Sequence, residues 1–226
     1  MFFEPFPDTD GVNTVTIDKA PSYFQLPGGP DLVKKYWPGS KVVLTLCDPA
    51  ERLFSEFHHC HRDETIEKLF NTTFIRKNIP PPTTFEDFVD VITEKSPVCT
   101  ENENPNICKS FNERWWTKGN YIENLQRWNQ AFSKDEMLIL DMNAPPKENT
   151  ERMIKFAGLP LDEYPWHELE DVSPSYSNTQ YSGREAAWEE SPESMKLLAN
   201  HFAPLNKELA SFIGHDFPLQ WKSTSS

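Results

Sequence analysis

Apolar and polar positions follow two rhythms along the chain, one of strands and one of helices. Residues 41–47 (KVVLTLC) form a short apolar run rich in β-branched side chains, entered from Pro38-Gly39 and left at Asp48-Pro49, which predicts a buried strand. A helix is expected to start at once. Asp48 is a suitable N-cap, Pro49 fits the first helical position, and Glu51 stands three residues after the cap, close to a capping-box arrangement. Leu53 and Phe57 then share a face.

The pattern returns later in the order helix, turn, strand. Tyr121, Leu125, Trp128 and Phe132 recur at helical spacing before the strand-like MLILDM at 137–142. Residues 147–157 read as another helix, with Met153, Ile154 and Phe156 apolar and with Gly158 and Pro160 as its stop. The last large element opens with Ser191 as N-cap and Pro192 as first residue. It places Met195, Leu198, Phe202, Leu205, Leu209 and Phe212 in steps of three and four and closes at Gly214. Pro204 is expected to kink or divide it.

Strands alternating with helices predict an α/β fold with a parallel central sheet flanked by helices on both faces. The segments 78–84, 95–120 and 160–192 read as connections, and none has the character of an interdomain linker. A length of 226 residues fits one domain over residues 1–226. Hydrophobic residues are 37% and prolines number 20, a loop-rich balance, while 13% aromatics argue for a packed core rather than disorder. The 22 basic and 35 acidic residues leave a net charge of −13, which argues against a nucleic acid partner. No stretch approaches the ~20 apolar residues of a membrane span, and the start MFFEPFPDTD lacks the charged and apolar regions of a signal peptide.

Four cysteines, Cys47, Cys60, Cys99 and Cys108, allow three pairings. The close pair Cys99 and Cys108 lies in the polar stretch VCTENENPNICKS, where a disulfide would staple a segment without regular structure. The sequon Asn71-Thr72-Thr73 makes Asn71 a glycan acceptor if the chain is secreted. In HHCHRDE (58–64), His58 and His61 share a helical face near Cys60, but no second Cys or His cluster partners them, so no metal is assigned. There is no Gly-x-Ser-x-Gly elbow and no Walker-type Gly-Lys-Ser/Thr loop.

The candidate chemistry lies at the first strand-to-helix junction. Arg52 and Ser55 stand three apart on one helical face, near an N-terminus whose amides and dipole favour an anion. The segment LCDPAERLFSEF (46–57) resembles the 3′-phosphate-binding segment of the carbohydrate sulfotransferases, chiefly the heparan sulfate group, where Arg-Asp-Pro-x-x-Arg is followed three residues on by Ser. DKAPSYF (18–24) resembles that group's Glu-Lys-Thr-Pro-Ser-Tyr-Phe, and GNYIENLQRWNQAF (119–132) its Gly-x-Tyr-x-x-x-Leu-x-x-Trp helix. MLILD, FAGLP and the closing HFAPLNKELASFIGHDF (201–217) follow in the same order, so the resemblance spans nearly the whole chain.

The resemblance implies the P-loop-like sulfotransferase fold and transfer of a sulfuryl group from 3′-phosphoadenosine 5′-phosphosulfate to a hydroxyl or amine of a glycosaminoglycan, without a metal. It carries Ser55 and Arg52 over to the 3′-phosphate, Gly183 and Arg184 of SGRE to a later loop at the same phosphate, and Lys19 to the lysine beside the transferring group. Lys19 would offset charge that builds on the sulfuryl and bridging oxygens. The Golgi lumen is the implied compartment, with a membrane anchor upstream.

Three departures qualify that reading. Cys47 stands at the family's leading Arg, and a thiol cannot make a bidentate phosphate contact. The 5′-phosphosulfate loop is expected upstream of Met1, so the sequence reads as truncated. Phe2-Phe3-Glu4 resembles the family's His-Phe-Phe-Asp, which puts the catalytic Glu just before Met1, and Glu4 is not assigned as a base. A polyanionic acceptor calls for local basic groups in this acidic chain: Lys34-Lys35, Arg76-Lys77, or the set Lys109, Arg114 and Lys118. The competing expectation is a non-catalytic glycan- or nucleotide-binding remnant of the same scaffold.

Overall fold

Two strands, β1 (Val42–Leu46) and β2 (Met137–Asp141), pair in parallel with Val42 opposite Met137 and Leu46 opposite Asp141. The structure is a computed structural model and describes residues 15–62, 64–75, 80–93, 115–162, 166, 183–214 and 221. Both strands lie within one residue of the apolar runs that predict them. A parallel pair cannot be closed by a hairpin, and here helices carry the chain from one strand to the next. Leu46 is buried and Leu44 half-buried against the helices, but Val43, 42% exposed, and Thr45 present an open side among the described residues. Burial thus alternates along β1 among the described residues, within the expected α/β arrangement of a parallel sheet flanked by helices.

The chain enters through a 3-10 turn at Pro21–Tyr23 and helix α1 (Gly29–Tyr36). Helix α2 (Pro49–Arg62) starts where expected: the buried Asp48 carboxylate accepts the Ala50 N–H at 2.9 Å, a charge-assisted cap. Helices α3 (Glu64–Ile75), α4 (Phe85–Thr93) and α5 (Tyr121–Ala131) follow, the last capped by Asn120. Helix α6 (Pro146–Ala157) ends at Gly158, whose φ of 79° suits glycine and directs its N–H back to Lys155. Helices α7 (Gly183–Glu190) and α8 (Pro192–Ile213) complete the order.

Several expectations are corrected. Residues 160–192 are not all connection, because α7 lies among them and buries Ala187, and Trp115-Trp116 is helical within 95–120. Pro204 does not divide α8. Its missing N–H removes one helical bond, while Phe202 and Leu209 on either side are anchored in packed cores. Ser191 caps α8 through its carbonyl alone, since its buried hydroxyl makes no cap bond.

Two apolar clusters hold these elements. In the first, Leu53, Phe54 and Phe57 of α2 meet Phe85, Phe88 and Ile92 of α4 and Met195, Leu198 and Phe202 of α8. The Phe54 and Phe85 rings meet edge-on with centroids 4.9 Å apart, a favoured aromatic geometry. In the second, Leu46 of β1 packs with Tyr121, Ile122 and Leu125 of α5, Leu209 of α8, and Trp221. Helix α8 thus serves both clusters and sets α2 against α5. The Trp128 indole donates to the Phe24 carbonyl at 3.0 Å and ties the 18–24 segment to α5.

Gly119 is a point of close approach between these elements. A Cβ there would lie 2.6 Å from the Phe202 ring and 3.1 Å from Pro49, the first residue of α2. Gly119→Ala is expected to lower unfolding stability by about 2 kcal/mol through overpacking, read from urea denaturation. A midpoint unchanged from the parent would show that Phe202 moves aside freely.

Candidate functional site

The junction between β1 and α2 brings charge to one place. Leu46 ends the strand, Cys47 and Asp48 make the turn, and α2 leads to Arg52 and Ser55 on one face. The Asp48 carboxylate occupies the first-turn amide that an external anion would otherwise use. Ser55 is the seventh residue of α2, about 9 Å along its axis from Pro49. The helix terminus and the hydroxyl therefore do not act on one point as the sequence implies. Ser55 is exposed and open to a solute. The cationic help near it comes from side chains.

Arg52 and Lys118 converge on Glu56. Arg52 Nη1 donates to Glu56 Oε2 at 2.6 Å, and Lys118 Nζ donates to Glu56 Oε1, joining α2 to the turn before α5. Arg52 keeps two donors, Nε and Nη2, buried and without a partner. Burial of the Glu56 carboxyl pushes its pKa up, but the two cations and their hydrogen bonds outweigh that and hold it below the usual carboxylate value. A buried guanidinium edge without a partner is chemically suited to an oxyanion with more than one acceptor oxygen.

Cys47 is half-buried, and its sulfur lies 3.9 Å from the Tyr121 hydroxyl. Burial pushes the thiol up to about 11, with Asp48 and Glu51 adding to the rise and Arg52 and Tyr121 opposing it. Burial also raises Tyr121 well above its usual value. Both groups are neutral at pH 7, so Cys47 brings no charge to the junction. Around it stand the cations Arg52 and Lys118 and the carboxylates Asp48, Glu51 and Glu56.

The other sequence-predicted residues are spread out. Lys19 is exposed in the irregular segment before the 3-10 turn, and no contact among the described residues joins it to Ser55. Gly183 and Arg184 open α7, which packs on α2 and α8, but at the end opposite Glu190, which lies 3.2 Å from His58 of α2. Asn71 is half-buried within α3, where the Thr72 hydroxyl donates to the Lys68 carbonyl. Cys99 and Cys108 lie outside the described residues.

The imidazole of His61 sits between the carbonyls of Phe57 and Pro82, and His58 packs on Phe54. Among the described residues no group of three His, Cys, Asp or Glu is placed to hold a metal. Of the basic sets weighed for an acceptor, Lys34 pairs with Glu136 and Lys118 with Glu56. Glu56 itself is missing from the sequence reading, although its i,i+4 spacing from Arg52 is a signal for the ion pair. An open groove of about 470 Å³ lined by Thr93, Trp116, Leu197 and His201 contains none of the predicted site residues.

A model described as the sulfotransferase domain matches residues 30–209. The bifunctional heparan sulfate N-deacetylase/N-sulfotransferase 1 of Caenorhabditis elegans is 26% identical over 168 residues, covering 72% of this chain and 16% of that protein. The bifunctional heparan sulfate N-deacetylase/N-sulfotransferase 4 of Mus musculus is 24% identical over 162 residues, covering 70% of this chain and 16% of that protein. The chain thus spans a small part of these curated relatives. A sulfotransferase from Alicyclobacillus acidocaldarius has a structure similar to 86% of this chain and 63% of its own, with a TM-score of 0.52 and 18% identity. At that identity the likeness bears on the fold alone.

Two outcomes follow from the electrostatics. A thiol at about 11 is ionised to roughly one part in a thousand at pH 8, so Cys47 should react with iodoacetamide about a hundredfold more slowly than a free thiol and accelerate up to that value. Peptide-resolved alkylation of the native chain measures this, and free-thiol rates at pH 8 would contradict it. Glu56 binds its proton less readily folded than unfolded. Its stabilising contribution is therefore complete above the ordinary value of 4.5 and is lost as pH falls through the depressed folded value. Glu56→Gln should flatten the loss of stability on acidification below that point, and parallel curves for parent and variant would refute this.

Proposed function

The chain belongs to the sulfotransferase domain family, and we propose that it transfers a sulfuryl group from 3′-phosphoadenosine 5′-phosphosulfate to a hydroxyl or amine of a glycosaminoglycan such as heparan sulfate. The observation that carries this is the i,i+3 spacing in α2 of the exposed Ser55 and of Arg52, whose buried Nε and Nη2 have no partner, in a chain of this family. In this reading Ser55 donates to the 3′-phosphate and Arg52 contributes its charge from the preceding turn. The resemblance assigns Gly183 and Arg184, which open α7, to the same phosphate.

The donor supplies an activated sulfur: the acceptor oxygen or nitrogen bonds to it as its bond to the 5′-phosphate oxygen breaks, and adenosine 3′,5′-bisphosphate leaves. Lys19, carried on a segment tied to α5 through Phe24 and Trp128, offsets the negative charge on the departing oxygens. The acceptor's proton goes to a base to which no described residue is assigned. The names of the heparan sulfate relatives support the acceptor class, and the Golgi lumen is the compartment this reading entails. Among the described residues no helix is long and apolar enough to cross a membrane.

One observation favours a second reading, a nucleotide- or glycan-binding module without catalysis. The neutral thiol of Cys47 stands where the family's guanidinium would, which removes charge from the phosphate site. Transfer of labelled sulfuryl to desulfated heparan sulfate separates the two: binding without turnover supports the module. The site itself is tested by calorimetry with adenosine 3′,5′-bisphosphate. Ser55→Ala should bind it about tenfold more weakly, the loss of one charge-assisted hydrogen bond. Equal affinity in parent and variant would remove Ser55 from the site.

A further inference from the structure

Two cations of the junction are already engaged. Arg52 Nη1 and Lys118 Nζ both donate to the two oxygens of Glu56, the residue that follows Ser55 in α2. Glu56 is well covered, with 19% of its side chain exposed, so the pair is screened less than a surface ion pair. Asp48 and Glu51 also stand at the junction and act on Cys47 against Arg52. Among the described residues, these two cations thus face three carboxylates before any ligand arrives. An oxyanion at the Ser55 hydroxyl would meet a like charge on the adjacent residue and cations held by that charge.

We infer that Glu56 is a built-in competitor for the anion site: its carboxylate takes the donors of Arg52 and Lys118 that a ligand phosphate at Ser55 requires, and so sets the affinity of the site. This rests on the phosphate-site reading of Ser55. Binding is an exchange. The phosphate gains Arg52 Nη1 and Lys118 Nζ only as Glu56 releases them or shares them, and the repulsion between carboxylate and phosphate persists in the complex. Glu56 is thereby a specificity-determining residue, favouring ligands that add contacts elsewhere over a bare phosphate. It also keeps Arg52 and Lys118 ordered when no ligand is bound.

Calorimetry with adenosine 3′,5′-bisphosphate at low salt tests this on the parent, Glu56→Gln and Ser55→Ala. Glutamine preserves shape and an acceptor while removing the charge. Glu56→Gln should bind about tenfold more tightly than the parent, the order expected for removing one like charge at close range near a surface. The gain should shrink as salt is raised. Glu56→Met supplies the same comparison if the glutamine variant does not fold, as judged by thermal unfolding. Unchanged or weaker binding in a folded Glu56 variant, with Ser55→Ala still weakened, overturns the competitor and leaves the site standing. Ser55→Ala binding as tightly as the parent, or no binding by any of the three, overturns the site and this inference with it.

Discussion

The structure turns on a buried carboxylate at a helix start. Asp48 is fully buried between β1 and α2, where an ionised group is tolerated only with partners, and the Ala50 N–H supplies one of them at the positive end of the helix. Pro49 then fixes the first helical residue, and Gly119 allows the turn before α5 to sit directly against it and against Phe202 of α8. The direction in which α2 leaves the sheet is thus set by three elements meeting at one point. The placement of Arg52, Ser55 and Glu56 follows from that direction, and the reach of Lys118 to Glu56 follows from the close approach at Gly119.

Helices of eight to fourteen residues are marginal alone, and their order here comes from the faces they bury. The first cluster is dense in aromatic rings from α2 and α4, and the second joins β1 to α5 through Leu46, Tyr121 and Leu125. Helix α8 belongs to both, which explains why Pro204 is accommodated without a break. One lost backbone bond on the exposed side is small against Phe202 and Leu209 held in separate cores.

The elements that were legible in the sequence combine a period with a punctuating residue: Asp48-Pro49 before α2, Gly158 after α6, and Ser191-Pro192 before α8. The helices that were missed lack one of the two. Helix α1 opens on Gly29-Pro30, which reads as a turn, and the sequence of α7 is rich in Glu with no apolar repeat. Helix α4 is the instructive case. Phe85, Phe88, Val89 and Ile92 are spaced as a helix and Thr84 accepts the Asp87 N–H, so this element has both signals and is the exception, unassigned beside the connection at 78–84. In the site, Arg52 and Ser55 follow from local spacing. The bond from Lys118 to Glu56 crosses 62 residues, and no local pattern encodes it.

A site that must persist without its ligand faces a conflict of charges. Unpaired cations at a junction as covered as this one would destabilise the fold, so each needs an internal partner, and an internal carboxylate is also the group that most resembles the ligand's own anion. Asp48 plays that part for the helix start and Glu56 for the two cations. The neutral Cys47 adds no positive charge. Affinity at such a place is a difference between two sets of similar contacts, and small changes in the internal partner are amplified in it. An overall charge of −13 is compatible with a polyanionic acceptor on the same grounds, because what an arriving anion meets is decided by which cations a carboxylate has already taken, and only secondarily by the sum over the surface.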